Sequence, residues 1–152
     1  MVVPTFVRQA LAGEPVTVFG DGLQSRCFGW VGDVVNAIIA LVEHPEAVGT
    51  VFNIGSDEDV TILELAQRVK DIARSDSPIN FLPYDQAYEA GFEDMHRRIP
   101  SLERIRKLIG YQPTKTLDQM LEAIIKERET WIRPADVRTP ASTQQSEVQP
   151  AS

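Results

Sequence analysis

The chain has 152 residues, an apolar share of 43% and a formal charge of −7, the size and composition of one domain with enough apolar residues for a core. The negative charge argues against nucleic acid and anionic membrane as partners. No apolar run approaches the roughly 20 residues of a membrane helix, and the single cysteine, Cys27, excludes an internal disulfide and fits a reducing cytoplasm.

The N-terminal stretch MVVPTFVRQALAGEP lacks a basic lead and a small-residue cleavage site. It starts as if in mid-fold, which suggests a fragment or a late-starting reading frame. Pro4–Ala12 reads as a short helix, because Pro4 suits a first turn and Gly13 a stop. Phe6, Val7, Ala10 and Leu11 share its apolar face. Val16–Phe19 is β-branched and aromatic, as in a strand. Gly20-Asp21-Gly22 then supplies residues that tolerate positive φ. Cys27–Val31 returns as a second extended run, so Val16–Val31 reads as hairpin-like, with Arg26 where turn becomes strand.

Asp33 is a candidate N-cap for a helix over Val34–Glu43. That segment is apolar nearly all round, which predicts burial on more than one side, and His44-Pro45 stops it. Val51–Ile54 reads as a short strand of a parallel sheet, covered on both faces. Thr61 and Glu64 form a capping box for a helix to about Arg74, with Ile62, Leu65, Ala66, Val69, Ile72 and Ala73 inward. Ile79–Leu82 is a further strand, ended by Pro83. Tyr84–Ile99 has no clear period and holds Asp85, Glu89, Glu93 and Asp94, then His96, Arg97 and Arg98; long irregular segments are often functional. Ser101 is a candidate cap for a helix over Leu102–Ile109, closed by Gly110. Thr116 and Gln119 form a second capping box, opening a helix to about Trp131 with Leu117, Met120, Leu121, Ile124 and Ile125 inward. Residues 133–152, rich in Pro, Ser, Thr and Gln, read as a disordered tail behind a folded part over 1–132. Strands alternating with helices predict an α/β domain. Val34–Val42 and Val51–Ile54 nonetheless want more sheet than the few short strands provide.

Arg26 offers a planar fork that fits phosphate or carboxylate. Its alternative is an ion pair with a nearby Asp or Glu. Arg97-Arg98 lies far away in sequence, so two arginine sites could close on the phosphates of a diphosphate. Alternatively, the pair neutralises the acidic loop beside it. His44 sits at a helix C-terminus, and His96 has no second histidine or cysteine to complete a metal set. Cys27 reads as buried and inert. No catalytic residue, no metal site and no glycine-rich phosphate loop emerges.

The ordered stretches VVPTFVRQALAGEPVTVFGDGLQSRCFGWVGDVVNAIIAL, VFNIGS, TILELAQ, RRIPSLERIRKLIGYQP and TLDQMLEAII resemble the C-terminal half of the NAD-dependent nucleotide-sugar epimerases and dehydratases. These are extended short-chain dehydrogenases that include UDP-glucose 4-epimerase and UDP-glucuronate decarboxylase. The resemblance covers roughly Val2–Glu129. It implies an incomplete Rossmann-type fold, the C-terminal part with short strands and helices. It also implies a UDP-sugar or related nucleotide-sugar as ligand. Val16–Gly20 would run along base and ribose, through Val18 and with Phe19 beside the base. Arg26 and Arg98, the latter in Arg98-Ile99-Pro100, would contact phosphates or ribose. Val3, Phe6 and Val7 would help enclose the nucleotide. Ser101 stands where the family usually has an acidic residue.

The family's NAD loop and catalytic Tyr-x-x-x-Lys belong to its first half, which this sequence does not contain. Tyr111 and Lys115 match that spacing formally, but Pro113 between them breaks helical geometry. The resemblance therefore implies NAD in the parent reaction, a transient oxidation at a sugar carbon, with none bound by this chain alone. It implies an N-terminal NAD-binding half as partner, and a homodimer is open. The alternatives are a non-catalytic nucleotide-binding or partner-docking domain, or an unstable truncated product.

Overall fold

The computed structural model describes residues 1–83 and 96–132. The stretch 84–95 of the irregular segment, with its four carboxylates, and the tail at 133–152 lie outside the described residues. In order, the elements are α1 (Val2–Ala12), β1 (Val16–Phe19), β2 (Ser25–Arg26), α2 (Val31–Val42), a 3-10 turn (Pro45–Ala47), β3 (Val60–Thr61), α3 (Ile62–Ile72), β4 (Ile79–Leu82), β5 (Arg97–Arg98), α4 (Glu103–Ile109) and α5 (Leu117–Ile132). This is an α/β fold with short strands, and no helix among the described residues is long and apolar enough to cross a membrane.

Three helices close over one small sheet. β1 pairs β4 in parallel, Val16 opposite Ile79 and Phe19 opposite Leu82. α1 and α3 pack against β1, and α5 packs on α1 and α3, through Phe6, Val7, Ala10, Val16, Val18, Ile62, Leu65, Ala66, Val69, Leu117, Met120, Leu121 and Ile125. Each fully buried aliphatic side chain here contributes about 1.5–3 kcal/mol. Both capping boxes form. Glu64 N donates to Thr61 Oγ1 at 3.1 Å and Thr61 N to Glu64 Oε2 at 2.9 Å; Thr116 N donates to Gln119 Oε1 at 3.0 Å and Gln119 N to Thr116 Oγ1 at 3.3 Å. Gly13 and Gly110 end α1 and α4 in the left-handed region, at φ 69° and 65°.

A second sheet runs β3-β2-β5, with β2 antiparallel to β3 and parallel to β5. The hairpin expected over Val16–Val31 is therefore absent: β1 and β2 belong to different sheets. The glycine turn redirects the chain, with Gly20 at φ 67° and Gly22 at φ 72°. Extended structure stops at Arg26, since Cys27–Trp30 is irregular and α2 already starts at Val31.

Other expectations also fail locally. Asp33 is not a cap; Trp30 holds that position, and Asp33 sits buried in the first turn. There its carboxylate accepts from Thr114 N at 2.9 Å and from Thr114 Oγ1 at 2.5 Å. Val51–Ile54 pairs with no strand among the described residues. Two of its polar groups go to α4 and the loop before it instead: Arg104 donates to Val51 O at 2.9 Å and Asn53 Nδ2 to Ser101 O at 3.3 Å. Ser101 makes no cap hydrogen bond, and α4 starts at Glu103 behind Leu102. Arg97-Arg98, placed in the irregular segment by sequence, is strand β5. Finally, α2 is not enclosed: it buries only Asp33 and Ala37, the latter against Leu102, Ile105 and Tyr111.

Candidate functional site

Sheet pairing decides where the two arginines go. β2 and β5 run in parallel with Ser25 opposite Arg97 and Arg26 opposite Arg98. Side chains alternate faces along a strand, so Arg26 and Arg98 leave from one face and Ser25 and Arg97 from the other. Both Arg26 and Arg98 line an open cleft of about 700 Å³. Its remaining walls come from Cys27, Gly29, Val34 of α2, the stretch Phe52–Ser56, and Ile99-Pro100. Arg26 Nη1 donates to Ser25 O at 2.7 Å, which fixes part of its fork. The Arg98 side chain is exposed and makes no hydrogen bond or ion pair among the described residues. Neighbouring strands lie about 4.8 Å apart, so two positive charges start side by side. An anion between them would relieve that repulsion and accept several charge-assisted hydrogen bonds.

The floor of the cleft is backbone against backbone. A Cβ on Gly29 would lie 3.0 Å from Gly55 Cα and 3.6 Å from Gly55 C. Behind this contact, the buried Tyr111 hydroxyl donates to Gly55 O at 2.7 Å. Burial, followed by the negative charge of Asp33, pushes the Tyr111 phenol above its usual range. Lys115 is engaged elsewhere, 5.1 Å from the Trp30 ring centre. Tyr111 thus supports the cleft from below, and the Tyr-x-x-x-Lys spacing it shares with Lys115 is coincidental.

Cys27 is half-buried on the cleft wall rather than fully enclosed. Burial raises its thiol above the usual value, and Asp59 and Asp57 raise it further, so it is held as a protonated thiol and is a poor nucleophile. No group of three or more potential metal ligands occurs among the described residues.

Of the residues named from sequence, Arg26 and Arg98 come together. The others sit apart from this cleft. Phe6 at 2% exposure, Val7 at 0% and Val18 at 0% lie inside the large core, and Val3 packs against it. Phe19, half-buried, ends β1, where its carbonyl accepts from Gln24 Nε2 at 3.2 Å. Sequence reasoning missed Gly29, Gly55 and Tyr111 as parts of the site. Nothing local marks them, because their roles arise from contacts between distant segments.

Residues 1–55 match the model of the NAD dependent epimerase/dehydratase family. The chain is related to the NAD-dependent nucleotide-sugar epimerases and decarboxylases. It is 36% identical over 132 residues to a UDP-N-acetyl-alpha-D-glucosaminuronate decarboxylase from Bacillus cytotoxicus, covering 87% of this chain and 40% of that protein. It is 38% identical over 125 residues to UDP-glucuronic acid decarboxylase 1 of Danio rerio, covering 82% of this chain and 28% of the relative. Its fold matches part of UDP-glucuronic acid 4-epimerase from Bacillus cereus, solved with UDP-glucuronic acid and NAD, at a TM-score of 0.76 and 26% identity; the match covers 86% of this chain and 40% of that one. The chain thus spans well under half the length of these relatives.

The glycine turn after β1 does not fit the phosphates of a dinucleotide. Gly20-Asp21-Gly22 follows a strand, as a dinucleotide loop would, but it leads into β2 and not into a helix N-terminus. Its turn is self-contained: Leu23 N donates to Asp21 Oδ1 at 2.9 Å. Gly22 is packed close, since a Cβ there would meet Val18 Cγ1 at 2.9 Å.

Proposed function

We propose that this chain corresponds to the C-terminal, substrate-binding portion of an NAD-dependent nucleotide-sugar epimerase, dehydratase or decarboxylase, working in the cytoplasm. The cleft takes the diphosphate of a UDP-sugar, and Arg26 and Arg98 grip its two phosphates. The observation that carries the reading is the in-register pairing of Arg26 with Arg98 on the wall of one cleft. Support comes also from the relatives, whose names specify UDP-linked uronic acids. Base and ribose run along the β1 backbone and Phe19, with Val18 and the α1 residues Val3, Phe6 and Val7 acting from the core to hold that wall.

The parent reaction, a transient oxidation at a sugar carbon, needs NAD, which the portion of the relatives absent from this chain supplies. That portion docks on the exposed apolar face of α2, where Val31, Val35, Ile38, Ile39 and Val42 are 49% to 81% exposed. Unpaired Val51–Ile54 alongside offers it a strand edge. Val34 and Phe52–Ile54 line the cleft too, so docking there brings the cofactor beside the sugar.

Titration calorimetry of the full chain with UDP tests the diphosphate site. UDP should bind and uridine should not. Arg26→Ala should weaken UDP by about tenfold or more, the scale of a lost charge-assisted hydrogen bond. Equal binding of uridine and UDP, or an unaffected Arg26→Ala, would overturn the reading.

A further inference from the structure

Arg97 and Arg98 are adjacent and chemically identical, and a strand of two residues has little of its own to fix its register. A slip by one residue exchanges the two faces, so either arginine could stand beside Arg26. What selects one of them is visible on the opposite face. Asp59 immediately precedes β3, on the other side of β2 from β5. Its Oδ2 accepts from Arg97 Nε at 3.0 Å. Ser25 of the intervening strand, and then Arg97, keep this carboxylate below the usual carboxylate range against the opposing effect of burial. One acidic group therefore reaches across the full width of the sheet.

We propose that Asp59 is a positioning residue that selects which arginine enters the cleft, by holding Arg97 on the far face so that Arg98 is presented beside Arg26. Backbone pairing agrees with this register: Ser25 N donates to His96 O at 2.8 Å. The neighbouring carboxylates have other partners. Asp57 takes Arg106 at 3.1 Å, and Glu58 takes Arg68 at 2.8 Å and Leu117 N at 3.3 Å. Neither of these ion pairs reaches β5, so Asp59 is the member of the Asp57–Asp59 run that touches the arginine pair. Arg97 is well exposed, so the selection is modest in strength and acts on register more than on global stability. The importance of the register for binding rests on the diphosphate reading above. The register itself does not.

The experiment compares the full wild-type chain with Asp59→Asn, Asp59→Glu, Arg97→Ala and Arg98→Ala. In the first arm, cross-strand NMR contacts Ser25–Arg97 and Arg26–Arg98 are recorded in the free protein. They should weaken or split in Asp59→Asn and recover in Asp59→Glu. In the second arm, UDP affinity is measured in a double-mutant cycle. Arg98→Ala should cost about tenfold in the wild type and clearly less in Asp59→Asn, where Arg97 can take its place; Arg97→Ala should cost little in the wild type. Unchanged cross-strand contacts in Asp59→Asn would overturn the proposal whether or not UDP binds. Additive losses for Asp59→Asn and Arg98→Ala would overturn it as well. Failure of the wild type to bind UDP would instead sink the diphosphate reading, and the free-protein contacts would still decide the role of Asp59.

Discussion

Around β1, Val7, Val16, Val18, Leu65, Ala66, Val69 and Leu121 all reach 0% exposure, whereas α2 leaves Ile38 at 49%, Ile39 at 52% and Val42 at 81%. The two regions are equally apolar to the eye. They differ in what this chain brings to them: α3 and α5 close the first with helices whose other faces are polar, while among the described residues α2 rests mainly on α4, the 3-10 turn and a few residues of the second cluster. Apolar periodicity thus reports which residues want cover. It does not report whether the same chain provides it.

The sharpest way to break the comparison is a matched pair of truncations. Leu65→Ala should cost about 3–4 kcal/mol in urea unfolding, because it removes a fully buried side chain and leaves a cavity. Ile39→Ala should stay within about 0.5 kcal/mol. Equal costs would mean that the two regions are not different in kind. Gly29→Ala comes next, at about 1–3 kcal/mol. Its new methyl would press on the Gly55 backbone, so UDP affinity should fall together with stability.

Tyr111→Phe probes the support under the same floor. Loss of the buried hydrogen bond to Gly55 O should cost about 1–2 kcal/mol at neutral pH. The phenol also gives a pH signature. The folded chain holds the Tyr111 proton more tightly than the unfolded chain does, so its contribution is intact below the ordinary value of 10.0 and is lost as pH rises through the higher folded value. Wild type should therefore lose stability in alkali more steeply than Tyr111→Phe. Parallel pH profiles would show that burial of this group is unimportant.

How much of this was legible in the sequence follows the range of the interactions. β1, β4, the ends of α1 and α4 and both capping boxes are legible because their signals lie within a few residues: β-branched runs, Gly13 and Gly110, Thr61 with Glu64, Thr116 with Gln119. Asp33 looks like a cap from sequence because its true partner, Thr114, is 81 positions away. The hairpin over Val16–Val31 was misread for the same reason. β2 finds its partners in β3 and β5, and no local pattern announces a two-residue strand. For the site, the arginines can be named from sequence but their pairing cannot, since it depends on how two strands far apart in the chain align. The glycine floor and Tyr111 were invisible for want of any local spacing rule.

The smallest expected effect on stability is the most informative about α2. Ile39→Gln keeps helix propensity and removes an apolar group that is already half in water. In the chain alone it should shift stability by no more than about 0.5 kcal/mol and should lower any tendency to self-associate, since exposed aliphatic stripes of this kind favour contact with other surfaces. Its cost should appear on adding the portion of the Bacillus cytotoxicus decarboxylase that this chain does not cover. Sedimentation should then show a complex with the wild type and a weaker one with Ile39→Gln. Were the wild type instead a tight homodimer that Ile39→Gln dissolves, the stripe would be a surface for a second copy. Were the variant indistinguishable in both assays, the exposed face of α2 would have no partner to explain it, and the contrast with the closed core would be one of composition alone.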